Sequence, residues 1–462
     1  MEYITVFQSP MYHQMSLEEY LFSEPFYRGG YGQIGGNETN TRTYKRDYVN
    51  YNFYDKLHVS IPHLAQTLQT FNNLYQELAE ADRLSLYENF YQEKHGKGMS
   101  YVFKAVFDTQ KKCVACNTGA VCSGIAGILR PLISNHKATE HEAIFNACER
   151  ELKDYLAENG FDVSGICLDK ILSPAYRKID APVDELKTAL RNLKTIFEKD
   201  FHALYHTSAF AYVKGRSTLD AVKRHQANES RWFAKYDLSN FFGNTQTEFI
   251  MKMLAMVFPF SAVMRTKGGA RELRKAVELA TLNGALPQGT PISPTITNIV
   301  MIPIDYKLSN ELRDFNKQRF IYTRYADDFT VSSRYDFSFK EIGQLIEDTL
   351  AEFGAPFKLN HSKTRYGSSA GQNWNLGVML NKDNQITIGH KKKRQFKAML
   401  ASYVMDRRNG TPWDLNEIQV LDGYRNYYRM VEGETIDKIV AHIGEKFNID
   451  IVKAIKDDLR AS

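Results

Sequence analysis

The chain lacks the features that mark secreted and membrane-spanning proteins. Only five of its 462 residues are cysteine, an odd number that leaves at least one thiol without an intrachain partner and favours a reducing compartment. No run of about 18 apolar residues is present, so no segment is predicted to cross a membrane. The N-terminal sequence has no basic region followed by an apolar one. We therefore expect no signal peptide and a soluble, cytoplasmic protein.

The chain also lacks a strong excess of either charge. Its net charge is +5, from 59 basic and 54 acidic residues. A histone-like binder would be far more basic, but a channel lined locally with Lys and Arg remains compatible, because the field depends on where the charges lie. The length predicts two or three domains, and neither an internal repeat nor a low-complexity linker separates them.

Apolar periodicity divides the chain into regions of different character. Apolar residues recur every three or four positions over about 61–95, 138–160 and 182–205, a spacing that predicts amphipathic helices. After residue 209, short strand-like apolar runs alternate with helical ones, which is typical of a mixed α/β layer domain. From about 390 the pattern is helical again, with a basic start.

Two segments place aspartates where predicted strands end. A hairpin with arms Phe320–Tyr325 and Phe329–Ser333 would carry Asp327 and Asp328 at its tip, and the strand KYDLSNFF supplies Asp237. An Asp-Asp pair alone is also typical of an ordinary polar turn. Like charges side by side in an apolar frame are costly unless cations neutralise them. Three aspartates on two strands, without His or Cys, therefore favour a two-Mg²⁺ site.

These segments resemble the sequence boxes of reverse transcriptases. Tyr325-Ala326-Asp327-Asp328 resembles the Tyr-x-Asp-Asp box, Asp237 matches the first catalytic aspartate, and Leu286–Pro294 is similar to the Pro-Gln-Gly…Ser-Pro segment. The resemblance covers about 165–390. It implies an α+β fold of the right-hand polymerase type, with fingers, a palm built from an antiparallel sheet plus helices, and a helical thumb.

The same resemblance implies domain boundaries and site residues. We expect a mainly helical N-terminal extension over 1–165, fingers and palm over 166–389, and the thumb over 390–462. The expected metal ligands are Asp237, Leu238, Asp327 and Asp328, with Lys363 as general acid. The expected nucleotide-binding residues are Lys170, Arg177, Phe242, Gln288 and Gly289, where Phe242 would exclude a ribose 2′-hydroxyl. The expected nucleic-acid contacts are Gly215, Arg216, Lys391, Lys392, Lys393 and Arg394. Ordinary surface lysines and a core phenylalanine are the alternatives for Lys170, Lys363 and Phe242.

The activity implied is that of an RNA-directed DNA polymerase using two Mg²⁺ ions, with Mn²⁺ as an alternative, and dNTP substrates. A further resemblance to defence-associated and abortive-infection reverse transcriptases implies a cDNA product copied from a dedicated non-coding RNA in antiphage defence. A homo-oligomer or an accessory defence protein would be a further partner. Asp220-Ala221…His225 departs from the retron pattern Asn-Ala-x-x-His. A retron-type or intron-derived enzyme, a template-independent DNA polymerase, an RNA-dependent RNA polymerase and an inactive RNA-binding scaffold remain alternatives.

Two groups of residues before position 165 carry weaker signals. Cys113, Cys116, Cys122 and His136 lack the two clean ligand pairs of a structural zinc site, so zinc is not expected. A cluster of tyrosines in a polar segment offers phenols that could start a DNA strand or stack on bases, although such tyrosines more often simply pack. These residues are Tyr44, Tyr48, Tyr51 and Tyr54.

Overall fold

A computed structural model describes residues 3–5, 14–16, 61–94, 96, 98–108, 118–201, 205–369 and 378–461. Within these ranges the chain combines helices with antiparallel strands, which confirms the predicted α+β class. None of the helices in the described ranges is both long enough and apolar enough to cross a membrane.

The strands are numbered in chain order. They are β1 Tyr3–Thr5, β2 Gln14–Ser16, β3 Tyr87–Glu93, β4 His136–Lys137, β5 Tyr176–Pro182, β6 Trp232–Asp237, β7 Phe320–Tyr325, β8 Asp328–Ser333, β9 Arg365–Ser368, β10 Met379–Leu380 and β11 Ile386–Thr387. Two-stranded sheets pair β1 with β2 and β10 with β11, a three-stranded sheet has the order β4-β3-β5, and a four-stranded sheet has the order β7-β8-β6-β9.

The α-helices are numbered in the same way. They are α1 Ile61–Leu74, α2 Gln76–Glu80, α3 Gly98–Asp108, α4 Thr118–Ile133, α5 Ala138–Glu158, α6 Leu168–Leu172, α7 Asp184–Thr195, α8 Thr218–Ala227, α9 Phe241–Asn244, α10 Thr247–Leu254, α11 Phe260–Met264, α12 Gly269–Ala280, α13 Ser293–Val300, α14 Ile302–Asp314, α15 Phe339–Glu352, α16 His390–Arg408, α17 Leu415–Phe447 and α18 Ile451–Ala461.

The chain forms two compact units, each built from several segments. The first contains Met1–Tyr205, Asn240–Ile304 and Gly354–Phe357, and the second contains His206–Ser239, Asp305–Phe353 and Lys358–Ser462. The domain boundaries expected from the sequence remain a prediction.

The first unit has a helical core beside a small sheet. Buried side chains of α3, α4 and α5 pack together with those of α6. The predicted helix over 138–160 is confirmed by α5. The prediction for 61–95 was wrong beyond residue 80, because Tyr87–Glu93 is strand β3, which pairs antiparallel with β5 along its whole length. That pairing partner lies far away in sequence, so local periodicity did not indicate it.

The second unit is organised around the four-stranded antiparallel sheet. β6 pairs with β8 so that Asp237 lies opposite Asp328, and β7 pairs with β8 so that Tyr325 lies opposite Asp328. The predicted hairpin is therefore confirmed with one change: Asp328 is the first residue of β8, and the turn itself is Ala326-Asp327. C-terminal to this sheet, α16, α17 and α18 share an apolar core, which confirms the predicted helical character of the C-terminal region.

Candidate active site

The three aspartates meet at one end of the four-stranded sheet. Asp237 ends β6 and Asp328 begins β8, and the two are directly paired across the strands. The turn residue Asp327 is tied to the neighbouring strand end, because the backbone N–H of Leu238 donates to the Asp327 carbonyl oxygen at 3.1 Å. The carbonyl oxygen of Asp237 in turn accepts from the backbone N–H of Asn360 at 2.7 Å. Hydrogen bonding of the main chain thus fixes the relative positions of the carboxylates.

The carboxylates of this cluster repel one another. The pKa of Asp327 is raised to about 6, first because burial disfavours its charged form and then because Asp328 and Asp237 are close by. Lys363 acts in the opposite direction and lowers it. Asp327 therefore takes up a proton at a higher pH than an isolated aspartate does, because its negative charge is poorly offset by its surroundings.

Two lysines contact the other two aspartates. The ammonium nitrogen Nζ of Lys235 lies 2.7 Å from Oδ2 of Asp328, and Nζ of Lys363 lies 2.9 Å from Oδ2 of Asp237. Side chains alternate along a strand, so Lys235 and Asp237 share one face of β6. Sequence reasoning missed Lys235, although its position two residues before Asp237 would have indicated it. Lys363 had been predicted as a site residue, and its side chain is 62% exposed.

The donor set is chemically suited to divalent cations. Mg²⁺ prefers carboxylate oxygens, completed by water and phosphate oxygens, and three carboxyl groups meet here, where burial and the neighbouring carboxylates raise the pKa of Asp327. In the described part of the chain, no three His, Cys, Asp or Glu side chains are arranged to enclose a metal ion. Lysine ammonium groups occupy two of the carboxylates instead. The three aspartates are thus the residue types that bind Mg²⁺, but their side chains are not yet arranged in its coordination geometry.

Behind the turn, an arginine is buried against an aspartate. On the inner face of β7, Arg324 binds Asp305 of α14 through Nε at 2.8 Å and a second guanidinium nitrogen at 2.7 Å, with side-chain exposures of 1% and 0%. The Tyr322 hydroxyl also donates to Asp305, at 2.7 Å. The remaining guanidinium nitrogen of Arg324 donates to the Ala326 carbonyl oxygen at 3.0 Å. Sequence reasoning assigned no role to Arg324 or Asp305.

Against the same sheet, His225 of helix α8 joins a buried network of hydroxyl groups. Its two ring nitrogens lie 2.6 Å from Oγ of Ser332 and 2.8 Å from Oγ1 of Thr323. Burial lowers the pKa of His225 to about 3, so the ring is neutral at physiological pH. His225, noted in the sequence for its departure from the retron pattern, therefore braces helix α8 against the sheet.

In the first unit, the predicted nucleotide-binding loop lies against strand β5. The Asp180 N–H donates to the Gln288 carbonyl oxygen at 3.0 Å. Gly289 has a φ of +126°, and a Cβ there would lie 2.9 Å from the Asp180 carbonyl oxygen, so the close approach requires glycine. The loop runs into α13, where the Ser293 hydroxyl donates to the Pro287 carbonyl oxygen at 2.9 Å. The structure thus brings Gln288 and Gly289 to the strand that carries Arg177.

The other predicted nucleotide-binding residues of this unit are accessible. Arg177 on β5 and Lys170 on α6 are exposed. Phe242 on α9 is half-buried, and its ring contacts the buried ring of Phe241 at a centroid distance of 5.8 Å. Phe242 is therefore not a core residue, in contrast to Phe241, which packs on Phe357.

The predicted nucleic-acid contacts of the second unit differ in their environments. Gly215 has a φ of +78° in an exposed turn. Arg216 donates instead to two carbonyl oxygens of its own loop, those of His206 at 2.6 Å and Ala209 at 2.7 Å. On α16, Lys391 and Arg394 are exposed, burial lowers the pKa of Lys392, and Lys393 contacts Glu432 at 2.6 Å.

The weaker signals lie partly or wholly outside the described residues. Tyr44, Tyr48, Tyr51 and Tyr54 lie outside them, as do Cys113 and Cys116. Of the remaining zinc candidates, Cys122 is a half-buried thiol, and the ring of His136 stacks on that of His141 at a centroid distance of 5.3 Å.

Comparison with known proteins gives consistent similarities. The family described as reverse transcriptase (RNA-dependent DNA polymerase) matches residues 174–397. Retron Ec83 reverse transcriptase of Escherichia coli is 30% identical over 296 residues, which are 61% of this chain and 86% of that protein. Retron Ec73 reverse transcriptase of Escherichia coli is 30% identical over 203 residues, 42% of this chain and 62% of that protein. A telomerase structure from Candida albicans can be superposed with 13% sequence identity and a TM-score of 0.34. The superposition covers 60% of this chain and 53% of the telomerase chain.

Proposed function

Since this chain belongs to the reverse transcriptase family, we propose that it copies an RNA template into DNA at Asp237, Asp327 and Asp328. The observation that carries the proposal is the register of the sheet, which pairs Asp237 with Asp328 and places Asp327 in the adjoining turn. The enzyme is an RNA-directed DNA polymerase, with dNTPs as substrates and divalent metal ions as cofactors.

The three aspartates would hold two Mg²⁺ ions together with the main chain of Leu238. Bound there, the ions would lower the pKa of the attacking 3′-hydroxyl and offset the charge of the triphosphate. Binding would require Lys235 and Lys363 to release or share their carboxylates, because both now contact the oxygens that would serve as ligands. The lysines would thus keep the cluster folded before the substrates arrive.

Lys363 would then act on the leaving group. In the reaction the 3′-oxygen bonds to the α-phosphorus, the bond to pyrophosphate breaks, and the departing oxygen gains negative charge. A nearby ammonium group that donates a proton to this oxygen favours its departure. Lys363 suits the role because its side chain is largely exposed and its ammonium group lies 2.9 Å from Asp237 of the carboxylate cluster.

Five further residues would hold the nucleotide itself. Arg177 would bind triphosphate oxygens in a bidentate manner, with Lys170 as a second cation. Gln288 and Gly289 would line the pocket, and Phe242 would crowd a ribose 2′-hydroxyl and so select dNTPs.

The biological setting we propose is antiphage defence, with a dedicated non-coding RNA as the template. The similarity to retron reverse transcriptases supports a retron-type enzyme as the second candidate. Both candidates make DNA on a specific RNA, so they differ in the template and in the form of the product rather than in the chemistry.

A polymerase assay tests the activity. Purified protein is incubated with an RNA template, a DNA primer, labelled dNTPs or rNTPs, and Mg²⁺. We expect incorporation of dNTPs that depends on the template, and none by the Asp327→Asn/Asp328→Asn variant, which retains the size of both side chains. Incorporation without a template, or preference for rNTPs, would favour the alternatives of the same fold.

Sequencing the nucleic acid that copurifies with the protein tests the template. One defined RNA together with its DNA copy would support a dedicated template, whereas a random mixture of cellular RNA would contradict it. Plaque counts on cells that express the wild type or the Asp327→Asn/Asp328→Asn variant then test the defence role. Equal plaque counts for the two would count against antiphage function.

A further inference from the structure

The catalytic turn contains a residue in an unfavourable backbone conformation. Ala326 has a φ of +56°, in the left-handed region that residues with a Cβ rarely adopt. It is buried and directly precedes Asp327. Such a conformation persists only where the surroundings enforce it. The contacts of the Ala326 main chain therefore decide where the two following carboxylates point.

Arg324 provides one of these contacts. It donates from one guanidinium nitrogen to the Ala326 carbonyl oxygen at 3.0 Å, while Nε and the other nitrogen bind the two oxygens of Asp305. This bidentate contact fixes the plane of the guanidinium, so the nitrogen facing Ala326 cannot rotate away. Asp305 in turn lies in the first turn of α14 and also accepts from Tyr322.

The main chain of Arg324 is held as firmly as its side chain. Its N–H donates to the Ser208 carbonyl oxygen at 2.7 Å, and its carbonyl oxygen accepts from the Phe210 N–H at 2.9 Å. The residue is thus anchored by a neighbouring segment at the edge of the sheet and by a helix behind it. A rigid support so close to the turn is what a metal site needs, because its ligands must be held within a fraction of an ångström.

We propose that Arg324 is a positioning residue for the metal-binding carboxylates: locked to Asp305, it holds the Ala326 carbonyl and so orients Asp327 and Asp328. The inference rests on the proposed polymerase function, since only there do these aspartates act as metal ligands. Arg324 touches neither substrate nor metal and acts through the turn.

Two substitutions separate positioning from general stability. Arg324→Lys keeps the positive charge beside Asp305, but a single ammonium cannot form the bidentate contact and also reach Ala326. Tyr322→Phe is the matched control, because it removes a hydrogen bond to the same Asp305 and leaves the contact with Ala326 untouched.

Three properties of the full-length variants are to be measured. These are the binding of Mn²⁺, from the paramagnetic resonance signal of the free ion, the melting temperature in EDTA, and single-nucleotide incorporation on an RNA template. For Arg324→Lys we expect Mn²⁺ affinity to fall about tenfold and the maximal incorporation rate at least as much, with the dNTP Kd within about twofold. For Tyr322→Phe we expect a lower melting temperature and an unchanged Mn²⁺ affinity.

Equal Mn²⁺ affinity in Arg324→Lys and wild type would overturn the inference, as would an equal loss in Tyr322→Phe. If Arg324→Lys does not fold, Asp305→Glu decides, because it keeps the charge and displaces the guanidinium by one methylene. A folded Asp305→Glu protein with wild-type Mn²⁺ affinity would also reject the role. A wild-type protein that incorporates no dNTP would count against the polymerase function instead, so the two failures are distinguishable.

Discussion

At the scale of single residues, the two phenylalanines that follow the first aspartate differ in their surroundings. Phe241 is buried against Phe357, whereas Phe242 is half-buried. We therefore expect Phe242→Ala to open space beside the sugar C2′ and to raise the rNTP/dNTP incorporation ratio by about tenfold. A competition assay with both nucleotide types measures the ratio.

The control for this substitution is its neighbour. Phe241→Leu should lower the melting temperature, because it removes packing from a buried site, and leave the ratio as it is. An unchanged ratio in Phe242→Ala would show that the ring only packs against Phe241.

A second prediction at this scale concerns the general acid. Lys363→Met should slow single-nucleotide incorporation by about 10²-fold, the usual contribution of a positioned proton donor. Lys358→Met is the matched control, because Lys358 is an exposed lysine of the same segment. Rapid-quench measurements at saturating dNTP report the chemical step. If both variants react at the wild-type rate, Lys363 is a surface lysine whose ion pair with Asp237 has no part in catalysis.

At the scale of secondary-structure elements, local patterns predicted more than long-range pairings did. The hairpin of β7 and β8 was predictable because both arms and their turn lie within 14 residues, and α5 because its apolar spacing is regular. Strand β3 was not, since its partner β5 begins more than 80 residues later. Asp237, Asp327 and Asp328 could be found despite their separation in sequence, because each stands in a recognisable sequence box. The contact of Arg324 with Asp305 could not, because Asp305 belongs to no such box and its pairing with Arg324 appears only in the folded structure.

Glu432 interrupts the long helix α17 and connects three elements. Its backbone is non-helical, with φ −139° and ψ 60°. One carboxylate oxygen accepts from the Thr387 hydroxyl at 2.8 Å and the Ile388 N–H at 2.7 Å, and the other contacts Lys393 at 2.6 Å. Its side chain is 11% exposed. A carboxylate so enclosed joins β11 and the start of α16 to the middle of α17.

We expect Glu432→Gln to destabilise this junction by about 2 kcal/mol, because an amide N–H₂ would face one of the existing donors. Hydrogen exchange of peptides covering 385–396 should become faster. Glu434→Gln is the control: Glu434 pairs with Lys438 on the same helix but is 84% exposed, so its loss should leave the exchange rates unchanged. Equal exchange in the two variants would mean that Glu432 does not hold the elements together.

At the scale of the whole molecule, two histidines and the carboxylate cluster give the free energy of unfolding opposite dependences on pH. Burial lowers the pKa of His206 to about 4 and that of His225 to about 3. The folded protein favours the neutral ring of both histidines. Their contribution to the free energy of unfolding is therefore complete above about pH 6.5 and is lost as the pH falls. Asp327 behaves oppositely, because its pKa is raised to about 6 and protonation relieves the repulsion in the folded protein. On acidification, the stability lost through the two histidines therefore exceeds the stability gained through Asp327.

We expect the metal-free second unit to lose about 2 kcal/mol of its free energy of unfolding between pH 7.5 and pH 5.5. Trp232 and Trp413 belong to this unit, so urea unfolding followed by tryptophan fluorescence in EDTA reports on it. His225→Gln should reduce the loss by about two-thirds, since the substituted side chain binds no proton in the unfolded state. His442→Gln, which changes an exposed residue, should leave the loss unchanged. A free energy of unfolding that rises towards pH 5.5 would contradict this prediction. It would mean that protonation of Asp327 stabilises the folded protein by more than His206 and His225 destabilise it.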